Sequence, residues 1–552
     1  MTRSFSRPDL RVLHAMLARH LCKPMATAMA ALTSLLCGLA LAQPAAPAAA
    51  EPESAGFDVL EFVIAGNTVL ATETIERAVY PFMGEKRQIE DVQAARAALE
   101  KAYRDLGFGS VGVDIPEQRV DNGVVRLQVV EARIVRTRVT GSRYFSQGYI
   151  LDKVPSAAEG KVPHFPTLQA ELARVNRTPD RRVTPLLRPG REPGTTEFDL
   201  VVQDQLPLHG NVELNNRASP NTSETRLQAS LRYDNVMQLD HTATLQLQLS
   251  PEAPREVQVL SASYSVPAGE SGRDSWLFSF TRSNSEVAAG VGSTTVFGKG
   301  QIWGLRRTLT LLLREREYHL LTLGVDLKDF DETIEQGPGE GFSTPLRYLP
   351  LSASYLSIME DASGRWQWGA GLALGLRGVV NKEEEFANKR FGATGGYSVL
   401  KFDGAREQKL GASGLRAWLR LDGQLTGQPL VANEQFVVGG VDSVRGYLES
   451  AAVGDLGLRG SFELRSGPMP TFGWPALGTL TAHAFVEGAA TELREPLPGQ
   501  NSRFRLLSAG FGLRLANETF GRLAVDLGWP LRTLAATERG DLRVHAAGTF
   551  EF

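Results

Sequence analysis

Leu227-Gln228-Ala229-Ser230-Leu231-Arg232-Tyr233 sets apolar residues at alternate positions with Gln, Ser and Arg between them, and this pattern recurs to the end of the chain. Ala243, Leu245, Leu247 and Leu249 alternate with Thr244, Gln246 and Gln248; Trp276, Phe278 and Phe280 keep the same period, as do Leu321 to Leu327 and Leu523, Val525, Leu527 and Trp529. Successive side chains of a strand point to opposite faces, so each run is a strand with one apolar and one polar face. In a soluble sandwich the apolar face is the core, whereas in a membrane barrel it meets lipid and the polar face lines water. Two features favour the barrel. All seven Trp fall after residue 208, as girdles at the two membrane interfaces require, and the last run, Val544, Ala546, Gly548, Phe550 and Phe552, ends the chain on an aromatic. Residues 208–552 divided among sixteen strands leave about 21 per strand and connection, enough for the roughly 10-residue tilted strands of such barrels. The expectation is a 16-stranded antiparallel transmembrane β-barrel.

Upstream, the period changes. Phe57 to Ile64 is extended and ends in the turn Gly66-Asn67; Thr72 to Phe82 is a short helix with Thr72 as N-cap; Gln88 to Leu106 carries Ile89, Val92, Leu99, Tyr103 and Leu106 on one helical face and stops at Gly107. Val111 to Ile115 and Val124 to Val130 follow as a hairpin around Asp121-Asn122-Gly123. The order strand, helix, helix, strand, strand then recurs over 132–207: Arg133 to Val139 ends in Gly141-Ser142, Gln147 to Val154 and Thr167 to Val175 are helical, and Val183 to Leu187 pairs with Glu197 to Gln203. The repeat is about 75 residues long.

The first 42 residues read as a secretory signal, with Arg3, Arg7, Arg11, Arg19 and Lys23 ahead of an apolar run that closes on Ala40-Leu41-Ala42. Cleavage there loses five basic residues and one acidic, taking the net charge from -3 to -7, which gives no basic excess for nucleic acid. Both cysteines, Cys22 and Cys37, leave with the signal, so no disulfide, metal thiolate or thiol nucleophile remains. Residues 43–56 are a Pro/Ala-rich leader in which Pro44, Pro47 and Pro52 oppose a helix.

Inside the barrel region, Asn433 to Ser450 (NEQFVVGGVDSVRGYLES) is a loop rich in glycine, where Gly439, Gly440 and Gly446 allow close backbone approaches around Val444, Arg445, Gly446 and Tyr447. An arginine on such a loop is a candidate part of a protein-conducting pore.

The β-α-α-β-β repeats resemble POTRA domains, periplasmic modules of the superfamily that includes barrel-assembly factors. Two of them before one barrel resemble the two-partner secretion transporters of the FhaC/ShlB type. That resemblance implies strand addition of incoming polypeptide to a POTRA edge, passage of an unfolded exoprotein (haemolysin- or haemagglutinin-like) through the barrel to the cell surface, and an outer-membrane location with the POTRA domains in the periplasm. It implies outer-membrane lipid and, during biogenesis, the barrel-assembly machinery as partners, Phe550 and Phe552 being the terminal insertion signal. It also implies that the loop arginine pairs with an acid in an F-x-D-x-G strand motif. The nearest match is Phe485-Val486-Glu487-Gly488-Ala489, in which Glu replaces Asp and Ala replaces the second Gly. Period-two counting puts Phe485 and Glu487 on the face opposite Ala484 and Val486. Arg445 and Glu487 are therefore the expected latch, with Asp455, Glu463 and Glu449 as rival partners; a half-exposed pair of this kind is worth about 1 kcal/mol and would fix position rather than stability. Well-known members carry a plug helix at the N-terminus; none is expected in the leader here, which would raise conductance.

The scattered histidines show no H-E-x-x-H or comparable metal spacing, and no G-x-S-x-G or phosphate-cradling loop occurs, so neither catalysis nor a cofactor is expected. The alternatives are a factor that inserts other barrels into the membrane, and a passive porin with periplasmic modules.

Overall fold

The computed structural model describes residues 56–552 apart from 221, 270–271, 286–288, 292–293, 297, 338–339, 470, 472–477, 518–520 and 535–536. The expected signal and most of the leader lie outside these residues.

In the first α+β unit the central strand Val124–Glu131 runs parallel to Glu61–Ala65, with Val111–Asp114 on its other side. Two helices cover this sheet, α1 (Thr72–Val79) and α2 (Ile89–Asp105), and Val92, Leu99 and Tyr103 of α2 are buried. Thr72 is not the cap: the extended residue before the helix is Ala71, with no side-chain hydrogen bond. Asn67 takes over the polar work of the turn, accepting from Leu70 N at 3.0 Å and from the Tyr103 hydroxyl at 2.6 Å.

Arg133–Thr140, α3 (Gln147–Lys153), α4 (Phe165–Val175), Arg181–Pro189 and Thr195–Asp204 repeat that order, again with the last strand central and parallel to the first. A core of Ile134, Tyr149, Ile150, Leu168, Phe198 and Leu200 fills the unit. A pair of equivalent glycines shows that the repeat is physical. Gly66 (φ +88°) and Gly141 (φ +81°) end the first strand of each unit, and a Cβ there would stand 2.3 Å from the Val129 carbonyl oxygen or 2.4 Å from that of Val202. Only glycine permits both the left-handed turn and that approach.

From Leu208 onward the strands form a closed antiparallel barrel. They are β1 (Leu208–Asn215), β2 (Arg226–Val236), β3 (His241–Leu249), β4 (Gln258–Ala268), β5 (Asp274–Asn284), β6 (Lys299–Leu313), β7 (Glu317–Gly337), β8 (Glu340–Tyr348 with Pro350–Asp361), β9 (Gly364–Gly375), β10 (Ser398–Lys409), β11 (Arg416–Thr426), β12 (Leu456–Arg465), β13 (Thr479–Glu492), β14 (Arg503–Asn517), β15 (Gly521–Pro530) and β16 (Arg543–Glu551). Both segments of β8 pair with β7, so they are one strand broken at Leu349, and the sixteen expected strands are present. Closure is made by β16 against β1, from Ala547 opposite Asn215 to Glu551 opposite Asn211, and the chain end extends the ladder through reciprocal 2.9 Å bonds between Gly210 and Phe552.

The apolar face of the alternating runs points outward. Leu231, Phe278, Leu323, Val486 and Leu523 are among the large hydrophobics left exposed, Leu523 at 56%, while their polar neighbours face the lumen. Phe550 and Phe552 are also exposed, with ring centroids 6.2 Å apart. The Trp pattern needs one correction. Trp418 alternates with outward Leu419 and so faces the lumen, where the Arg465 guanidinium stacks on it at 4.6 Å. Trp474 lies outside the described residues.

Candidate functional site

Between β11 and β12 the chain turns back into the lumen. A short hairpin, Phe436–Val438 with Ala452–Gly454, forms the stem, and Gly439, Gly440 and Gly446 all have φ near +100°. Val444, Arg445 and Tyr447 at its tip are buried. Tyr447 packs with Val438, Ala452, Ala489 and Leu506, and its hydroxyl reaches the Arg532 carbonyl at 2.7 Å.

Arg445 meets a receptor built from four consecutive pairings. Strand register aligns Arg465, His483, Gly512, Asp526 and His545 in one row across β12 to β16, and Glu463, Phe485, Gly510 and Gly528 in the next. The guanidinium carbon lies over the Phe485 ring, 3.6 Å from its centroid. Its edge donates to Glu487 (Nε, 3.0 Å; Nη2), to Glu463 and to Asp526 (3.5 Å), and Nη1 meets His483 Nε2 at 3.0 Å. The backbone N–H of Arg445 donates to the second Glu487 oxygen at 2.7 Å, and that of Gly446 to His545 Nε2 at 2.9 Å. Gly528 is where the tip sits: a Cβ there would stand 2.6 Å from Gly446 N, and a Cβ on Gly446 itself 3.2 Å from the Gly528 backbone.

The charges balance. Glu487, Glu463 and Asp526 face Arg445, Arg465 and Arg514, the last two pairing with Glu463 at 2.7 Å and Asp526 at 2.6 Å. Arg445 is 3% exposed and Glu487 4%, so the estimate for a half-exposed pair does not apply. Removing one partner of a buried, hydrogen-bonded network costs about 3–5 kcal/mol, because the others are left buried without compensation.

Of the residues singled out in the sequence, the structure brings Arg445, Glu487 and Phe485 together, and Glu463, named there as a rival, joins them as a further partner. Asp455 and Glu449 serve elsewhere. Glu449 accepts from Val441 N at 3.0 Å within the loop. Asp455, fully buried, receives Arg390 through both Nη atoms (2.5 and 2.6 Å), Leu430 N, Gln435 Nε2 and Arg494 N. Arg390 follows α5 (Glu383–Lys389) in the β9–β10 connection, so Asp455 ties the foot of the loop to two neighbouring connections. Asp455→Ala is expected to leave the barrel folded but raise proteolysis of both the loop foot and the α5 connection, read by limited digestion of the purified protein. Asp526, His483 and His545 were missed, although parity alone marks Asp526 as the inward carboxylate of the Leu523–Trp529 run.

Among the described residues one grouping has metal-ligand spacing, Asp180, His209 and Asp234. Its donors are engaged by protein: Asp180 by His209 (3.0 Å) and Gln205 (3.1 Å), Asp234 by Arg232 (3.1 Å) and Thr242 (2.8 Å).

The family model described as haemolysin secretion/activation protein ShlB/FhaC/HecB matches residues 194–515, more than half of the chain. The chain belongs to this family. A second model, the ShlB-type POTRA domain, matches residues 57–132, so the first α+β unit is a periplasmic POTRA domain and the barrel an outer-membrane one. The outer membrane transporter CdiB of Dickeya dadantii (strain 3937) is 22% identical over 472 residues, covering 82% of this chain and 78% of that one. Among solved structures, CdiB from Escherichia coli aligns with a TM-score of 0.56 at 19% identity over 92% of this chain and 93% of that one. BamA from Haemophilus ducreyi lacking POTRA domains 1–3 aligns at 0.55 and 14% identity over 90% and 100%. At these identities the structural likenesses bear on fold alone.

Proposed function

We propose that this ShlB/FhaC/HecB family member carries an unfolded exoprotein from the periplasm through its barrel to the cell surface, and that the Arg445 loop is the gate. On this reading the Arg133–Asp204 unit is a second POTRA domain, since it repeats the element order and the strand-ending glycine of the first. The observation that carries the gate is the single arginine on which three carboxylates converge from β12, β13 and β15. A lumen-lining arginine needs no such receptor; a movable loop that must return to one place does. Lipid covers the outward apolar face, and the exposed Phe550 and Phe552 at the β16–β1 seam offer the assembly machinery an aromatic contact.

The test is deletion of the gene in its host, with the proteins of the medium and of the outer membrane compared before and after complementation. Loss of one or two large exoproteins, restored by the wild-type gene, is expected. Depletion of many unrelated barrels with normal exoprotein release would make the protein an assembly factor.

A further inference from the structure

Among the turns on the side of the barrel that faces the Arg133–Asp204 unit, the β2–β3 turn is unusual. Asn235, Met237, Gln238 and Asp240 all have φ between +56° and +69°, a left-handed conformation that residues other than glycine adopt uncommonly. Four such residues in six persist only where surrounding contacts hold them.

Part of that hold is internal, since Asn235 accepts from Asp240 N and donates to Gln238 Oε1, each at 3.1 Å; the rest comes from the α+β unit, through Gln238 and Asp240. Gln238 accepts from Ser146 N at 3.0 Å and donates to the Tyr144 carbonyl at 3.1 Å, at the start of α3. Asp240 accepts from the Tyr149 hydroxyl, from Arg181 Nη2 at 3.0 Å and from Lys153 Nζ at 2.7 Å. Arg181 is buried with its guanidinium 4.7 Å from the Phe145 ring and 4.9 Å from that of Tyr149, so its cationic end is aimed at the turn by packing rather than by chance. Burial pushes the Asp240 carboxyl up, but Lys153, Tyr149 and Arg181 outweigh that and hold it below the ordinary carboxylate value. A lowered folded-state value means that the contact is present at neutral pH and is lost only as pH falls through it.

Two further attachments lie along the same rim. The covalent connection, residues 205–207, leads into β1, where His209 meets Asp180; and Arg177 donates to the Gly272 carbonyl in the β4–β5 connection at 3.3 Å. A body held only by its chain connection can swing. One held at three separated points has a fixed orientation.

We propose that the β2–β3 turn is a fixed joint which sets the second α+β unit beneath the barrel mouth, with Asp240 as its positioning residue, and that delivery of the exoprotein requires the joint closed. The last clause rests on the transport reading above.

Because the expected mature chain carries no cysteine, spin labels can be placed at Gln169→Cys in α4 and Ala412→Cys in the β10–β11 turn of the full-length protein in lipid nanodiscs. Asp240→Asn keeps the side-chain shape and tolerates the left-handed backbone, but it removes the charge that answers Arg181 and Lys153. A narrow label-to-label distance distribution in wild type is expected to broaden in Asp240→Asn, with exoprotein release reduced at least fivefold and channel conductance unchanged. Gln238→Asn, too short to reach Tyr144 and Ser146, is expected to do the same without altering charge, and heat-modifiable migration checks that either variant holds a folded barrel. An unbroadened distribution in both variants overturns the joint, and a broadened one with wild-type release overturns its role in delivery. If the wild type itself releases no exoprotein, the transport reading fails while the distances still decide the joint.

Discussion

Arg445→Ala is expected to abolish exoprotein release while leaving a folded, heat-modifiable barrel in the outer membrane. The substitution removes the cation that Glu487, Glu463 and Asp526 share and its contact over the Phe485 ring. Arg465 and Arg514 remain, each engaged with one carboxylate, and among the described residues Glu487 keeps Ser461 Oγ and the residue-445 N–H as donors. A penalty of about 3–5 kcal/mol on the docked loop, at about 1.4 kcal/mol per decade, shifts the docked-to-undocked ratio by two to nearly four powers of ten. In planar bilayers the variant should show larger and noisier conductance than wild type, and added protease should cut between residues 439 and 450. Arg445→Lys keeps a charge but not the planar fork that serves three carboxylates at once, so it should fall between the two. Unchanged conductance with normal release would reduce the cluster to a lining of the lumen.

The second large effect is expected from a residue that carries no charge. Gly528→Val puts a branched side chain where Gly446 N and the Arg445 carbonyl carbon already lie 2.6 and 2.9 Å from the nearest possible Cβ. All three carboxylates stay in place, yet the loop tip must rise off the wall and the 2.9 Å bond from Gly446 to His545 must break. Overpacking of this kind costs about 1–3 kcal/mol, and the displaced arginine loses further hydrogen bonds. Conductance should rise and release should fall as in Arg445→Ala, whereas Val525→Ala, facing outward on the same strand, should change neither. If Gly528→Val behaved as wild type, the docked tip would not be the closed state.

The barrel was legible in the sequence because each strand face meets one environment over most of its length, so a period of two survives along the runs that carry it. The same parity placed Phe485 and Glu487 inward. What parity cannot supply is register: His483, Gly512, Asp526 and His545 share a row only once four strand pairings are set. Nothing local in the sequence records those pairings. Gly512 shows the difficulty most clearly, since it reads as a weak point in a strand, yet its missing side chain leaves the gap across which His483 reaches Asp526 at 2.9 Å. The Arg390–Asp455 pair joins two connections 65 residues apart and has no periodic signature at all. Thr72 failed as a cap for a smaller reason: residue type favoured it, but the backbone is already helical there.

His545, on the last strand, closes the receptor for the loop tip. The chain therefore cannot complete that receptor until its final strand has paired, because the acceptor for Gly446 lies 99 residues beyond it, on β16, which closes the barrel against β1. Contacts of such long sequence separation form late. Docking of the loop thus doubles as a record of assembly: a barrel still missing β16 offers the arginine an incomplete seat, and if the docked loop is the gate proposed above, the barrel can close only when the wall around it is whole.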